Sequence, residues 1–190
     1  MIKYLWILLL LSCSKENGGK WFWISEGSHY STPIGNKVGV NRSGMEWEWE
    51  VIFDSSCLYT SADLIDSSNI GDINKLVGFS DCGLNHSQNS FRIGWRPSSL
   101  YSDSLELLSY VRRDGTFTFT PITTITTNEL IFIYLTFSDT TYICCINGQC
   151  DTTERVCSDW EGRKRALFPY FGGDETSPHN MRIWIKNLDI

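Results

Sequence analysis

The chain has 190 residues and a formal net charge of −6 at pH 7. That length suits one domain with a sizeable core, and an acidic chain without a Lys/Arg cluster argues against a nucleic-acid partner. Eight Trp, eight Tyr and ten Phe stand against only two alanines, Ala62 and Ala166, which favours pleated, half-buried strands over helices.

The first segment, MIKYLWILLLLSCS, sets Lys3 before an apolar run from Tyr4 to Leu11 and closes on Leu10-Leu11-Ser12-Cys13. Charge, apolar run and small residue in that order predict a secretory signal over 1–12. The run is too short to span a bilayer, which takes about 20 residues. The closing tetrapeptide resembles the lipobox of bacterial lipoproteins. That resemblance implies a mature N-terminus at Cys13 carrying acyl chains such as palmitate, an exported protein and a membrane partner. Loss of Lys3 would take the charge from −6 to −7. Residues 13–20, polar and Gly-containing, then read as a flexible tether to a single domain over 21–190.

Strand signals follow in chain order. Glu46 to Phe53 alternates strictly, with Glu46, Glu48 and Glu50 on one face and Trp47, Trp49 and Val51 on the other. Residues 60–75 lack strand character, and Ser61 to Leu64 suits a short capped helix. Leu76 to Phe79 is a short apolar strand. Ser90 to Arg96 alternates again, with Arg92, Gly94 and Arg96 opposite Phe91, Ile93 and Trp95. Leu105 to Arg113 and Thr116 to Thr120 flank Asp114-Gly115, the signature of a hairpin closed by a type I′ turn. Leu130 to Phe137 and Thr141 to Ile146 form a second hairpin, and Asn147-Gly148 turns the chain once more. Ala166 to Phe171 and Met181 to Ile185 supply the last strands. Eight or nine short strands of this kind predict an all-β antiparallel sandwich or jelly roll.

Beyond Cys13 there are six cysteines: Cys57, Cys82, Cys144, Cys145, Cys150 and Cys157. In an exported protein they permit up to three disulfides. Cys144 and Cys145 point to opposite faces of a strand and should not pair together. Cys150 and Cys157 flank a polar segment and read as a local staple. A zinc site on Cys144 or Cys145 with Cys150 and Cys157 is the alternative, but the spacing matches no common zinc module.

Two motifs carry a family resemblance: Asn85-His86-x-x-Asn89-Ser90-Phe91-Arg92-Ile93-Gly94-Trp95-Arg96, and Leu167 to Glu175 followed by Pro178-His179. Together they resemble uncharacterised lipoproteins of Bacteroidota with a concanavalin A-like jelly roll, over about Trp47 to Ile185. Ser177 stands where that family has Ala. The resemblance implies the fold and a cell-envelope address, on the outer membrane in many such lipoproteins, many of which handle glycans. It implies no defined activity.

Several constellations suit carbohydrate chemistry. Same-face strand residues recur about every 6.6 Å, which can bring two of Glu46, Glu48 and Glu50 to the roughly 5–5.5 Å of a retaining glycosidase. The row resembles the E-x-D-x-E strand of laminarinase-like hydrolases, with Glu48 in place of the central Asp; the plainer reading is a solvated outer face. Arg92 and Arg96 flank Gly94 and suit a uronate carboxylate, unless Arg92 pairs with the glutamate row. His86, Asn89, Arg92, Tyr110 and Tyr170 could together supply a lyase, although a Q-I-H signature of alginate lyases is absent. His179 shares the second motif, while His29 stands alone. Asp174 and Glu175 offer hard oxygen ligands for calcium. Trp21, Trp23 and Trp160 are the candidates for exposed stacking platforms, and Trp47, Trp49 and Trp95 for core. The expected function is an anchored module binding glycan or another extracellular ligand without catalysis. A polysaccharide-degrading enzyme and a structural envelope protein are the alternatives.

Overall fold

A computed structural model describes residues 18–33, 46–83, 85–155, 157 and 164–188. The signal segment, Cys13 and Trp160 lie outside the described residues.

Twelve strands occur among the described residues: β1 (Lys20–Ile24), β2 (Ser31–Thr32), β3 (Glu46–Phe53), β4 (Asn74–Ser80), β5 (Ser90–Pro97), β6 (Ser104–Arg113), β7 (Thr116–Thr126), β8 (Leu130–Phe137), β9 (Thr141–Ile146), β10 (Gln149–Glu154), β11 (Ala166–Leu167) and β12 (Met181–Asn187). They form a seven-stranded sheet, β10-β9-β8-β3-β12-β1-β2, and a five-stranded sheet, β11-β4-β5-β6-β7, antiparallel throughout.

Alternation determines what lies between the sheets. Trp47, Trp49 and Val51 of β3 face inward, as do Phe91, Ile93 and Trp95 of β5. Across the gap Trp47 stacks on Phe79 at 4.3 Å, and Phe91 stacks on Tyr142 at 4.6 Å. Burial of these large apolar surfaces is the main driving force for the sandwich.

The predicted turns are present. Asp114 and Gly115 have φ of 49° and 84°, and Asn147 and Gly148 have 48° and 83°, the paired positive values of a type I′ turn. The segment expected to lack strand character forms short 3-10 turns, among them Ser61–Asp63 and Ser67–Gly71, in place of an α-helix, and its last residues, Asn74 and Lys75, already belong to β4. Lys20, expected in the tether, already pairs with Ile185 in β1. Only Ala166 and Leu167 of the predicted 166–171 strand pair regularly. Pro169 has no N–H to give a ladder, and the chain rejoins the sheet through single bridges at Tyr170.

The Cys150–Cys157 staple is not formed. The Asn147-Gly148 turn extends into β10 and sets Cys150 opposite Cys145, and those two are bonded. Cys157 instead bonds Cys82 at the end of β4. Cys57 and Cys144 are buried free thiols, and burial raises the pKa of both.

Beside Cys82 lies a buried ionic cluster. The Asp81 carboxylate accepts from Tyr142 Oη at 2.6 Å and from Arg155 Nε at 2.6 Å, with Lys164 Nζ at 3.4 Å. Asp81, Arg155 and Lys164 are all buried. The cluster ties the segment after β10 to the end of β4.

Candidate functional site

The solvent face of the five-stranded sheet is assembled from strand residues that alternate with the core. β5 turns Arg92, Gly94 and Arg96 outward, opposite Tyr110, Leu108 and Glu106 of β6. The Asp114-Gly115 turn sets the next register, so that Tyr110 faces Phe119 and Arg112 faces Phe117 on β7. Lys75 of β4 lies opposite Gly94.

Loops complete this face as a cleft of about 530 Å³ lined by Lys75, His86, Arg92, Tyr110, Arg112 and Tyr170 among others. An adjoining, more apolar hollow of about 380 Å³ shares His86, Arg92 and Tyr170 with it. His86 rides on a tight turn in which Asn85 Oδ1 accepts from Ser87 N–H. That turn is braced by the β6–β7 tip, where Gly115 N–H donates to Gln88 and Asp114 N–H donates to Asn89 Oδ1. Tyr170 is held by a backbone pair with Lys75 and by stacking on His29 at 5.2 Å. The loop behind it turns at Gly172, whose φ is +86° and whose N–H donates to the buried Asn74 side chain at 2.6 Å.

The cleft floor is cationic. Arg92 is buried, donates one N–H to Phe168 O at 2.7 Å, and keeps a buried Nε without a partner. Lys75 donates to Gly172 O at 2.7 Å, with its ammonium 5.2 Å from the Tyr110 ring and 5.9 Å from the Tyr170 ring. Arg112 donates to Tyr110 Oη at 3.2 Å and to the carbonyls of Ser87 and Gly115. Among the described residues, no carboxylate forms an ion pair with Lys75, Arg92 or Arg112.

These cations act on one another and on the titrating groups nearby. Burial and the charges of Arg92 and Arg112 push Lys75 down to about 8, and burial lowers Arg92 to about 10. His86 is lowered from 6.5 by partial burial and by Arg92, Arg165 and Arg112, so its imidazole is neutral at pH 7. Partial burial, with Tyr30, raises Tyr170 and keeps its phenol protonated. A pH dependence follows. Lys75 is charged below about pH 8 and neutral above it. Affinity for an anion in the cleft should therefore fall as pH rises through 8, in a titration where Lys75→Met removes the step.

The structure brings His86, Arg92, Tyr110 and Tyr170 together, leaves Asp174 at the rim of the same cleft and sends the other predicted residues elsewhere. Asn89 braces the hairpin tip. Arg96 pairs with Glu106 at 2.6 Å and reaches Gly71 O. The strip above Gly94 is filled by Leu108 and Ile73, so Arg92 and Arg96 do not share a ligand pocket. His179 Nε2 lies 2.9 Å from Ser56 O, away from the cleft. Glu175 accepts from the N–H groups of Ile65 and Asp66 and from Asn69, which occupies its carboxylate; Asp174 lies on the cleft rim. Among the described residues no three His, Cys, Asp or Glu converge as metal ligands.

The glutamate row is on the other sheet. Arg92 does not pair with it, because β5 neighbours only β4 and β6. Glu46 accepts from Tyr134 Oη at 3.0 Å and Glu50 pairs with Lys186 at 3.0 Å. Glu48 lines a separate hollow with Phe132, Tyr134 and Leu188. Trp21 and Trp23 are exposed as expected, on this same sheet.

The sequence reading did not include Lys75, Arg112, Phe117 and Phe119. Three of these were accessible, since the two-residue turn at Asp114-Gly115 alone fixes Arg112 against Phe117 and Tyr110 against Phe119. Lys75 had no local signal.

No protein-family model and no curated protein matches the chain. Solved structures do. Alginate lyase A1-II′, a member of polysaccharide lyase family 7, aligns with a TM-score of 0.53 at 13% identity, covering 93% of this chain and 82% of that one. The same lyase in complex with substrate aligns at 0.52 and 14% identity, over 92% and 77%. The laminarinase catalytic domain from Thermotoga maritima aligns at 0.48 and 10% identity, over 92% and 79%. The two-sheet topology and the lyase alignments establish a concanavalin A-like jelly-roll sandwich.

Proposed function

We propose that this protein is an exported, lipid-anchored envelope module that binds an acidic polysaccharide across the cleft of the five-stranded sheet. The observation that carries the reading is Arg92, a buried guanidinium with an unpartnered Nε beneath an open cleft, beside two further cations that form no ion pair with a carboxylate among the described residues. A buried charge without its counterion is costly, and a ligand carboxylate resolves that cost with bidentate geometry. Phe117 and Phe119 on the facing strand add apolar surface for sugar rings. An alginate lyase shares the fold, and its substrate belongs to the same anionic class. The two disulfides suit an oxidising, exported setting, and anchoring rests on Cys13 in its lipobox-like context. Substituting Cys13 with Ala should release the protein from membranes.

Cleavage by β-elimination is a second reading, favoured by the neutral His86 in the same cleft. In that step Arg92 holds the uronate carboxylate while His86 takes the proton alpha to it. The electron pair forms the C4=C5 double bond as the C4–O bond breaks, and a tyrosine, Tyr110 or Tyr170, protonates the departing oxygen. A panel of acidic and neutral polysaccharides, followed by calorimetry and by ultraviolet absorbance of the unsaturated product, tests both readings. Binding of acidic chains without absorbance supports the module. Absorbance that vanishes in His86→Ala makes it a lyase, and binding of none of the acidic chains overturns both. Glu46→Gln and Glu48→Gln should change neither readout; a loss of activity there would return the role to the glutamate row.

A further inference from the structure

The seven-stranded sheet carries on its solvent side an apolar band that the cleft does not use. Trp21, Trp184, Ile52 and Leu130 lie side by side across β1, β12, β3 and β8. Trp23 and Phe132 flank the row. Trp21 is 38% exposed, Trp23 47%, Leu130 45% and Phe132 52%, and contiguous exposed apolar surface of this kind marks a contact site. The charges next to the band are neutralised in pairs, Arg182 with Asp54 at 2.7 Å and Lys186 with Glu50 at 3.0 Å. The Arg182 guanidinium also lies 4.9 Å from the Trp21 ring and 5.7 Å from the Trp23 ring.

The chain enters the domain at this band. A Cβ on Gly19 would collide with the Trp184 indole, so the backbone leading into β1 lies directly on that ring. Cys13 is six residues before Gly19, a reach of at most about 20 Å in extended chain. A lipid on Cys13 therefore keeps the aromatic band close to the bilayer. Trp combines an apolar body with a polar N–H and is enriched at membrane–water interfaces. Exposed Glu46 and Glu48 lie towards the far end of β3, with Glu48 about 13 Å from Ile52 along the strand, which leaves the tryptophan end to make the contact.

We infer that the Trp21–Trp23–Trp184 band rests in the lipid headgroup layer and so aims the opposite, ligand-binding sheet away from the membrane. The inference rests on the acylation of Cys13 and is tested apart from it. The mature acylated chain is reconstituted into phosphatidylcholine vesicles with and without brominated acyl chains, and tryptophan emission is recorded. Brominated lipid should quench wild type, while Trp21→Phe/Trp23→Phe should stay vesicle-bound and lose the share of the quenching that Trp21 and Trp23 contribute, keeping that of Trp184. A vesicle-bound wild type without quenching, or a double variant quenched as strongly as wild type, overturns the orientation. Absence of quenching together with a dimer in solution assigns the band to a second copy instead. Cys13→Ala that remains bound and quenched overturns the anchor and keeps the band, whereas wild type that ignores vesicles overturns both.

Discussion

The double substitution Lys75→Met/Arg92→Met should abolish binding of an acidic polysaccharide while leaving the domain folded. A hydrogen bond to a charged group is worth roughly 1.5–3 kcal/mol, so losing two costs roughly 3–6 kcal/mol. At about 1.4 kcal/mol per tenfold, affinity should fall at least a hundredfold. Methionine keeps an unbranched apolar stem in place of each side chain and drops the charged end, so the apolar packing of the stem is largely retained. Folding should survive because the two cations repel one another. Arg92 lowers the proton affinity of Lys75, burial lowers that of Arg92, and neither forms an ion pair with a carboxylate among the described residues. Relief of that repulsion and desolvation offsets the hydrogen bonds lost to Phe168 O and Gly172 O. Calorimetric titration and a thermal melt on the same sample check this. A much lower melting temperature would show that the cations are needed by the fold rather than by a ligand.

Asp81→Ala should have the opposite profile, with stability lost wherever the cleft is empty or full. Its removal leaves Arg155 and Lys164, both buried, without the counterion that faces them, at a cost of roughly 3–5 kcal/mol. The effect is pH-dependent with a defined sign. Burial alone would raise the Asp81 carboxyl, but hydrogen bonds from Arg155 and Tyr142 and the charges of Arg155 and Lys164 hold it below 3.8. A depressed folded pKa means that the stabilisation is complete above the unfolded value of about 3.9 and fades as pH falls below it. Denaturant melts at neutral and acid pH should therefore show a wild-type loss at low pH that the variant lacks. Equal melts for the two proteins at neutral pH would contradict the assignment.

The parts of this fold that were legible in the sequence share a cause. Strict alternation in Glu46–Phe53 and Ser90–Arg96, and positive-φ pairs at Asp114-Gly115 and Asn147-Gly148, are local signals that no tertiary contact overrides. The Cys145–Cys150 bond was implicit in the same Asn147-Gly148 turn, because a two-residue turn sets those positions opposite each other. Cys82–Cys157 was not implicit, since its partners are 75 residues apart and meet only when β4 is placed. The site divides in the same way. His86, Arg92, Tyr110 and Tyr170 could be nominated by residue type, whereas Lys75 enters because β4 packs beside β5. Arg96, Asn89 and His179 have the right chemistry but satisfy partners within the fold, Glu106, the hairpin tip and Ser56, and sequence alone does not separate side chains with such partners from those without.

Recognition of ligand carboxylates by the cleft is tested by titrating the protein with a polyuronate and with the same polymer after its carboxyl groups are reduced to alcohols. The acid form should bind, with affinity that weakens with salt and with pH above 8, and the reduced form should not bind. Equal affinity for the two would contradict carboxylate recognition.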